Sequence, residues 1–317
     1  NPLYWRQLEE LHKKLEFVNR KDVKESAAAK EATVTLSKLR VNASENIRKW
    51  LCARIEDLRL QKEDQLSAQN SLLRCRYVVH FLKIHSPEVE AGIKSQYLDV
   101  MSKILLDAYK RQTKQIPKLM AQASMVPETL VPSQSKGLFK GKHGVGESAL
   151  FFSLGQRQRL LNDILAPVQH FGDGSYPVEV LLRSLYQGLI DAVTAEFVFS
   201  SEFFIDDGFV TAIFGPTLKH LEAFADELIA KLTDPVCLVL LMRFCLAHKA
   251  EMEGRRIVKL NPHFQFLFER LTSRFQKVII DNAASIEQCP PVRLLENETT
   301  AHHANAITRR FAEFALS

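Results

Sequence analysis

The residues that most clearly suggest a chemical function lie in a stretch rich in glycine and lysine. Gly137, Gly141 and Lys142 resemble part of a phosphate-binding loop, in which backbone N–H groups and a lysine cradle phosphates. The spacing is one residue short, and His143 stands where a serine or threonine would bind Mg²⁺. No strand pattern precedes the stretch. We therefore interpret it as a basic loop and not as a nucleotide site.

Histidines and paired acidic residues are the other candidates for chemistry. His302 and His303 are adjacent, so on a helix their side chains would point about 100° apart and would not easily reach one metal ion. His248 and His263 lie elsewhere, and Asp206–Asp207 fits a helix end better than a catalytic pair. No HExxH pattern or nucleophile–base set can be assembled. The sequence therefore predicts a protein that is not an enzyme and that has no cofactor and no metal.

One polar cluster could instead bind a partner. The segment Thr308–Phe314 places Arg309 and Arg310 beside Phe311, and arginine and aromatic residues dominate the hot spots of protein interfaces. We hypothesise that these three residues, together with Arg183, lie on or near a partner surface.

The alternative for this segment is an ordinary amphipathic helix. Such a helix would bury Phe311 and Phe314 and would place Arg309 or Arg310 in a surface pair with Glu313. We favour this alternative by about two to one, because surface pairs at this spacing are common and weak.

The longest amphipathic helix is predicted at Tyr176–Phe204. Its apolar residues follow a helical stripe and its polar residues converge on no catalytic pattern, which indicates a scaffold. Pro177 fits the first turn, where a missing N–H costs nothing. The stripe consists of Leu181, Leu185, Ile190, Val193, Phe197 and Phe204.

Similar patterns predict at least seven further helices and no convincing strand, so we expect an all-α fold. Asp234-Pro235 and Asn261-Pro262 are predicted helix starts, whereas Met125–Ser148 lacks periodicity and is predicted to be a loop. We expect helical bundles at 1–124 and 176–317, joined by an irregular linker at 125–175. The other predicted helices are Tyr4–Val18, Leu36–Leu58, Ser71–Ile84, one starting at Pro87, Phe209–Leu232, one from Asp234 to about Met252, His263–Asn282, and one starting near His302.

Composition restricts the partners. The formal net charge of +5 is mild and is not typical of a nucleic-acid binder. The most apolar segment, Val236–Ala247, is interrupted by Arg243 and is too short to span a bilayer. The five cysteines fit neither a disulfide framework nor a zinc site, which favours a cytosolic protein. Because Asn1 is not a natural start, we expect more chain before it.

Eight short segments, in order along the chain, resemble the vacuolar protein sorting 52 subunit family of the Golgi-associated retrograde protein (GARP) tethering complex. Each segment is weakly specific alone, but the set in order is specific. The segments are LEELHKKLEFV (Leu8–Val18), LSKLR (Leu36–Arg40), LLRCRYVVHFLK (Leu72–Lys83), YLDVMSKILLDAYKR (Tyr97–Arg111), FSLGQR (Phe152–Arg157), YPVEVLLRSL (Tyr176–Leu185), AEFVFSSEFF (Ala195–Phe204) and ITRRFAEF (Ile307–Phe314).

The resemblance implies an elongated stack of helical bundles, as in the multisubunit (CATCHR-type) tethers. It also implies a non-catalytic subunit acting in retrograde transport from endosomes to the trans-Golgi network, with a sister assembly (EARP) in endosomal recycling. The implied partners are the other tether subunits, a Golgi Rab GTPase and SNARE proteins. Membrane association would be peripheral, through partners, on the cytoplasmic face of the trans-Golgi network and endosomes.

Two other classes of function remain open at this stage. One is a subunit of a related tether, such as an exocyst-like or endosomal recycling complex, with a similar fold and different partners. The other is a helical enzyme or lipid-binding module with a groove between its helices. A lipid-binding module would contain a large internal cavity, whereas a tether subunit needs only exposed binding surfaces.

Overall fold

The computed structural model describes residues 2–60, 65–121, 129–131, 152–205, 208–289 and 306–316. Eleven α-helices account for most of this part of the chain, with two short 3₁₀ segments. The one β-type contact within it is an isolated bridge between Met120 and Tyr176. The all-α prediction is therefore confirmed.

Five helices precede the first long gap in the description. Pro87 opens the last of them, as the sequence predicted. They are α1 (Pro2–Val18), α2 (Ala27–Arg59), α3 (Gln65–Leu73), α4 (Arg76–His85) and α5 (Pro87–Leu119).

Six helices follow that gap. A 3₁₀ turn at Gly155–Arg157 leads into the first of them, and a second at Val258–Leu260 leads into the fifth. They are α6 (Gln158–Asn162), α7 (Val178–Phe203), α8 (Phe209–Lys231), α9 (Pro235–Gly254), α10 (Asn261–Glu287) and α11 (Ala306–Leu316).

The chain divides into two compact units, each made of two stretches of sequence. Unit 1 comprises residues 1–107 and 195–215, and unit 2 comprises 108–194 and 216–317. The expected bundles at 1–124 and 176–317 remain a prediction. None of the described helices is long and apolar enough to serve as a membrane span.

In unit 1, α1 and α2 pack together along an apolar seam. Leu8, Leu15 and Val18 are buried on α1. The seam of α2 continues through residues such as Ile47 and Leu51, which are almost fully buried. A two-helix seam of this kind buries apolar side chains every three or four residues.

The single helix predicted over Ser71–Ile84 is wrong, because the chain breaks at Cys75. The N–H of Cys75 donates to the carbonyl of Leu72 at 2.8 Å, which tightens the end of α3 before α4 begins. Within α4, Val79 is buried, whereas Ile84 near its C-terminal end is 46% exposed.

The amphipathic helix predicted at Tyr176–Phe204 matches α7 to within two residues at each end, but its environment differs from the prediction. Five of the six predicted stripe residues are buried, yet so are the polar side chains of Glu179, Arg183, Gln187, Glu196 and Ser200. The interpretation of α7 as a helix with one apolar side is therefore wrong. Its polar side chains face other protein segments, and each needs a hydrogen-bonding group there.

Helices begin at both predicted starts, Asp234-Pro235 and Asn261-Pro262, but only the first has a side-chain cap. Asp234 caps α9, and its carboxylate accepts from the N–H groups of Val236 and Cys237 at 2.9 and 3.1 Å. Asn261 is not a cap, because it already has helical backbone angles and is the first residue of α10. Its side chain donates instead to the carboxylate of Glu253 at 2.8 Å.

Candidate functional site

The helix α11 carries three of the four residues predicted to bind a partner, and it is fastened to unit 2 on one side. Arg310 is buried there: its Nη1 donates to the carbonyl of Thr129 at 3.1 Å, and its guanidinium lies 5.8 Å from the ring of Phe152. Phe314 packs against Phe152 and Leu130. Arg310 therefore anchors α11 within the chain.

The segment that receives α11 is itself tied to α10. The N–H of Leu130 donates to Oδ1 of Asn282 at 2.8 Å, and Nδ2 of Asn282 donates to the carbonyl of Val278 at 2.7 Å. Asn282 is only 4% exposed, so one buried amide connects residues 129–131 to the interior of α10.

The opposite side of α11 is open. Arg309 is exposed, Phe311 is 54% exposed and Leu316 is 88% exposed. The favoured alternative, which buried Phe311 together with Phe314, is therefore wrong for Phe311, because the anchored side of the helix is the one that carries Arg310 and Phe314. Arg309 and Phe311 are both accessible, but at positions i and i+2 of a helix they point away from each other, one on each flank of the anchored side.

Arg183 is not on the surface at all, so it is removed from the predicted partner surface. It is 1% exposed, and its Nη1 donates to the carbonyls of Asp163 and Ala166 at 3.2 and 2.9 Å. Burial lowers the pKa of Arg183. The side chain therefore clamps the turn after α6 onto α7. No feature of the sequence pattern indicated this contact, because the acceptors are backbone carbonyls.

A buried ion cluster in unit 2 was also missed at the sequence level. Nη1 of Arg157 lies 2.5 Å from Asp234 and 3.6 Å from Glu179. Burial raises the pKa of both carboxyl groups. Burial alone would lower the pKa of Arg157, but the two carboxylates together raise it. The cluster joins the Gly155–Arg157 turn to α7 and α9.

A second polar network lies inside unit 1. The carboxylate of Glu196 accepts from Nε2 of Gln69 at 2.5 Å, from Nε2 of Gln65 at 3.0 Å and from the hydroxyl of Tyr97 at 2.9 Å. Glu196 is 1% exposed and Tyr97 is fully buried. Solvent-borne substrates cannot reach such a group, so it is an internal connection between helices and not a catalytic acid.

Metal and lipid sites have little support in the described residues. His263 lies 3.0 Å from Glu222, and no group of three or more histidine, cysteine or acidic side chains in the described ranges could hold a metal ion. An apolar cavity beside Arg183 and His248 has a volume of about 20 Å³, enough for one water molecule, whereas pockets for drug-sized ligands span roughly 300–1,000 Å³. This cavity cannot hold a lipid chain.

Several sequence candidates lie outside the described residues. They are the glycine–lysine stretch around Gly141, the Asp206–Asp207 pair, the predicted loop Met125–Ser148 apart from residues 129–131, and the His302–His303 pair.

Family models cover most of the chain. The model for the C-terminal region of Vps52 matches residues 99–317, and the model for the coiled-coil region of the Vps52/Sac2 family matches residues 1–82. No solved structure matches the chain.

Curated relatives agree with these matches. Vacuolar protein sorting-associated protein 52 A of Arabidopsis thaliana is 29% identical over 326 residues, covering 100% of this chain and 46% of the relative. The Homo sapiens homologue is 26% identical over 328 residues, covering 99% and 45%. The Caenorhabditis elegans homologue is 23% identical over 329 residues, covering 96% and 46%. The chain spans about half the length of these relatives. On the strength of both family models, the chain belongs to the Vps52 family.

Proposed function

We propose that this chain is part of a non-catalytic subunit of a vesicle-tethering complex that acts in retrograde transport from endosomes to the trans-Golgi network. Membership of the Vps52 family is the observation that carries the proposal. The all-helical fold and the absence of an accessible catalytic arrangement among the described residues support it.

The proposed partners are the other subunits of the tether, a Golgi Rab GTPase and SNARE proteins. The chain would serve the retrograde tether, the recycling tether or both, on the cytoplasmic face of the trans-Golgi network and endosomes. Its membrane association would be peripheral and would depend on these partners.

For the Rab contact we propose the exposed side of α11. Arg309 is exposed on one flank of the anchored side and Phe311 on the other, and arginine and aromatic residues are enriched at the energetic centres of interfaces. Arg310 and Phe314 fasten the other side of the helix to unit 2. A fastened helix loses little further conformational entropy on binding, which favours a preformed contact.

The test is retention of the 317-residue chain on immobilised Golgi Rab GTPases loaded with GTP analogue or GDP. We expect GTP-selective retention of the unaltered chain. Retention should fall at least tenfold in Arg309→Glu and in Phe311→Ala and should change little in two control variants. Phe17→Ala is the control for Phe311→Ala, because Phe17 is 53% exposed. Arg243→Glu is the control for Arg309→Glu, because it reverses the charge of another exposed arginine. If the folded chain retains neither nucleotide form, or if the controls weaken retention as much, the contact is not on α11.

A further inference from the structure

A groove in unit 2 lies between the C-terminal part of α5 and α8, far along the sequence from α11. Its volume is about 410 Å³. We call it the basic groove. Its floor is apolar and two lysines line its edge. The apolar residues are Pro117, Met120, Phe224 and Leu228, and the lysines are Lys114 and Lys231.

The floor of the basic groove offers apolar surface that is only partly covered. Leu228 is 5% exposed and closes the bottom, while Met120 and Phe224 are half-buried and Pro117 is exposed. Half-buried apolar side chains in a concave site gain further burial when a partner enters, at about 25 cal/mol per Å² removed from water.

The rim of the basic groove is positively charged and unneutralised. Lys110 and Lys118 lie four residues before and after Lys114, so the three project from the same side of α5. All three lysines and Lys231 are exposed, and none has an ion-pair partner in the described part of the chain. Glu227 is the acidic residue in the lining. Two lysines and one carboxylate therefore line the groove, and Lys110 and Lys118 lie one helical turn away from Lys114 on α5.

A half-buried histidine lies beside the same lysines. Nε2 of His220 lies 2.9 Å from the hydroxyl of Thr113, at the groove. Burial lowers the pKa of His220, and the charges of Lys110 and Lys114 lower it further. The lysines that line the groove therefore favour an anion there, and the lowered pKa of His220 agrees with this.

We propose that the basic groove binds an amphipathic helix of a partner protein whose apolar stripe is flanked by aspartate and glutamate. Residues 110–119 of α5 rise about 14 Å, the length of two and a half helical turns. A helix laid along a groove between two helices places its apolar residues at i, i+3, i+4 and i+7 on the floor. Its flanking carboxylates would then meet the lysines of the rim. This surface is separate from the one proposed on α11 and does not depend on it.

An anionic membrane is the competing occupant for any basic, partly apolar surface. Its flat face would meet Lys110, Lys114 and Lys118 but would not fill a recess floored by Phe224 and Leu228. The concave shape of the basic groove therefore favours a helix over a membrane. Anionic vesicles are included in the test to compare the two occupants.

The test uses the 317-residue chain and a synthetic 18-residue helical peptide with leucine at i, i+3, i+4 and i+7 and glutamate on both flanks. Binding is measured by fluorescence anisotropy. We expect binding that weakens at least tenfold in Lys114→Glu with Lys231→Glu, and less than twofold in Lys38→Glu with Lys83→Glu. The control lysines are exposed, lie in unit 1 and do not line the groove. A peptide with lysine in place of glutamate should not bind.

A second readout locates the peptide. Carboxylates placed near His220 favour its protonated form, so the pKa of His220 followed by NMR should rise when the glutamate peptide is bound. Equal binding by the groove and control variants, or an unchanged pKa of His220 in the saturated complex, would overturn the proposal. Binding of phosphatidylserine vesicles that depends on Lys114 and Lys231, without peptide binding, would overturn it in favour of a membrane.

Discussion

The guanidinium of Arg157 lies 2.5 Å from the carboxylate of Asp234, and that same carboxylate caps the first turn of α9. Both residues are largely or fully buried. The carboxylate of Asp234 therefore caps the N-terminus of α9 and also neutralises the buried guanidinium of Arg157. These two residues are 77 positions apart in the sequence. Glu179 lies within 3.6 Å of the same guanidinium nitrogen, so two acidic groups depend on one arginine.

Removing Arg157 should strongly destabilise the folded chain. In Arg157→Met the two carboxylates Asp234 and Glu179 would stay buried without a cation, which costs roughly 3–5 kcal/mol of unfolding free energy. Arg157→Lys keeps the charge and should cost less, although it loses the forked geometry. Urea unfolding followed by circular dichroism measures both. Equal stability of Arg157→Met and the unaltered chain would show that the cluster contributes nothing net.

Glu196 should make unit 1 less stable as pH rises. Burial raises the folded-state pKa of Glu196 above its ordinary value, and hydrogen bonds from Tyr97 and Gln69 only partly offset this. Below the unfolded-state pKa the group is protonated in both states and imposes no cost. As pH rises through the folded-state pKa, the buried group must ionise and that stability is lost.

The variant Glu196→Gln should remove this dependence. Its amide oxygen can accept from Gln69 and Gln65, and its NH₂ can donate to the hydroxyl of Tyr97, so the network survives without a charge. We expect the variant to be more stable than the unaltered chain by about 1 kcal/mol near pH 8, with the gap closing towards pH 4. Glu196→Ala, which leaves the donors unsatisfied, should be less stable at every pH.

These networks mark the limit of what the sequence could predict. Pro87 and Asp234 were placed correctly because first-turn prolines and capping carboxylates act on their own helix. Arg183 and Arg310 were misplaced because their partners are backbone carbonyls at Ala166 and Thr129, 17 and 181 residues away in sequence. A helical stripe shows which apolar side chains face inward, but it does not reveal that a polar side chain will be covered by a distant segment.

The end of α9 stores local strain at Arg256, whose φ is +61°. The N–H of Arg256 donates to Glu253 and the N–H of Ile257 donates to Met252, the two hydrogen bonds of a Schellman motif. Glycine normally occupies this left-handed position, because a side chain there costs roughly 1 kcal/mol.

Arg256→Gly should therefore stabilise the chain by about 0.5–1 kcal/mol. Arg256→Ala retains the Cβ and should gain little, while Arg256→Val should destabilise, because branched side chains tolerate this conformation worst. Thermal unfolding of the three variants gives the comparison. A ranking in which alanine equals glycine would mean that the backbone at this position is not strained.

Buried His248 should make unit 2 less stable in acid. Burial, and to a lesser extent the charge of Arg183, lower the pKa of His248 to about 4. Its folded-state pKa thus lies below the unfolded value near 6.5, so the unfolded chain binds the proton more readily between these values. Stability is complete above about pH 6.5 and falls as pH drops towards 4, by at most about 3 kcal/mol.

The variant His248→Leu should abolish this loss. Nε2 of His248 has no hydrogen-bond partner, and the ring lies beside Phe264 in the small apolar cavity, so leucine removes an unsatisfied polar atom and keeps most of the packing. The control is His80→Gln, which changes an exposed histidine. Melting temperatures at pH 7.5, 6 and 4.5 should fall less steeply in His248→Leu than in the control. Parallel curves for the two variants would mean that the acid sensitivity of the chain comes from other groups.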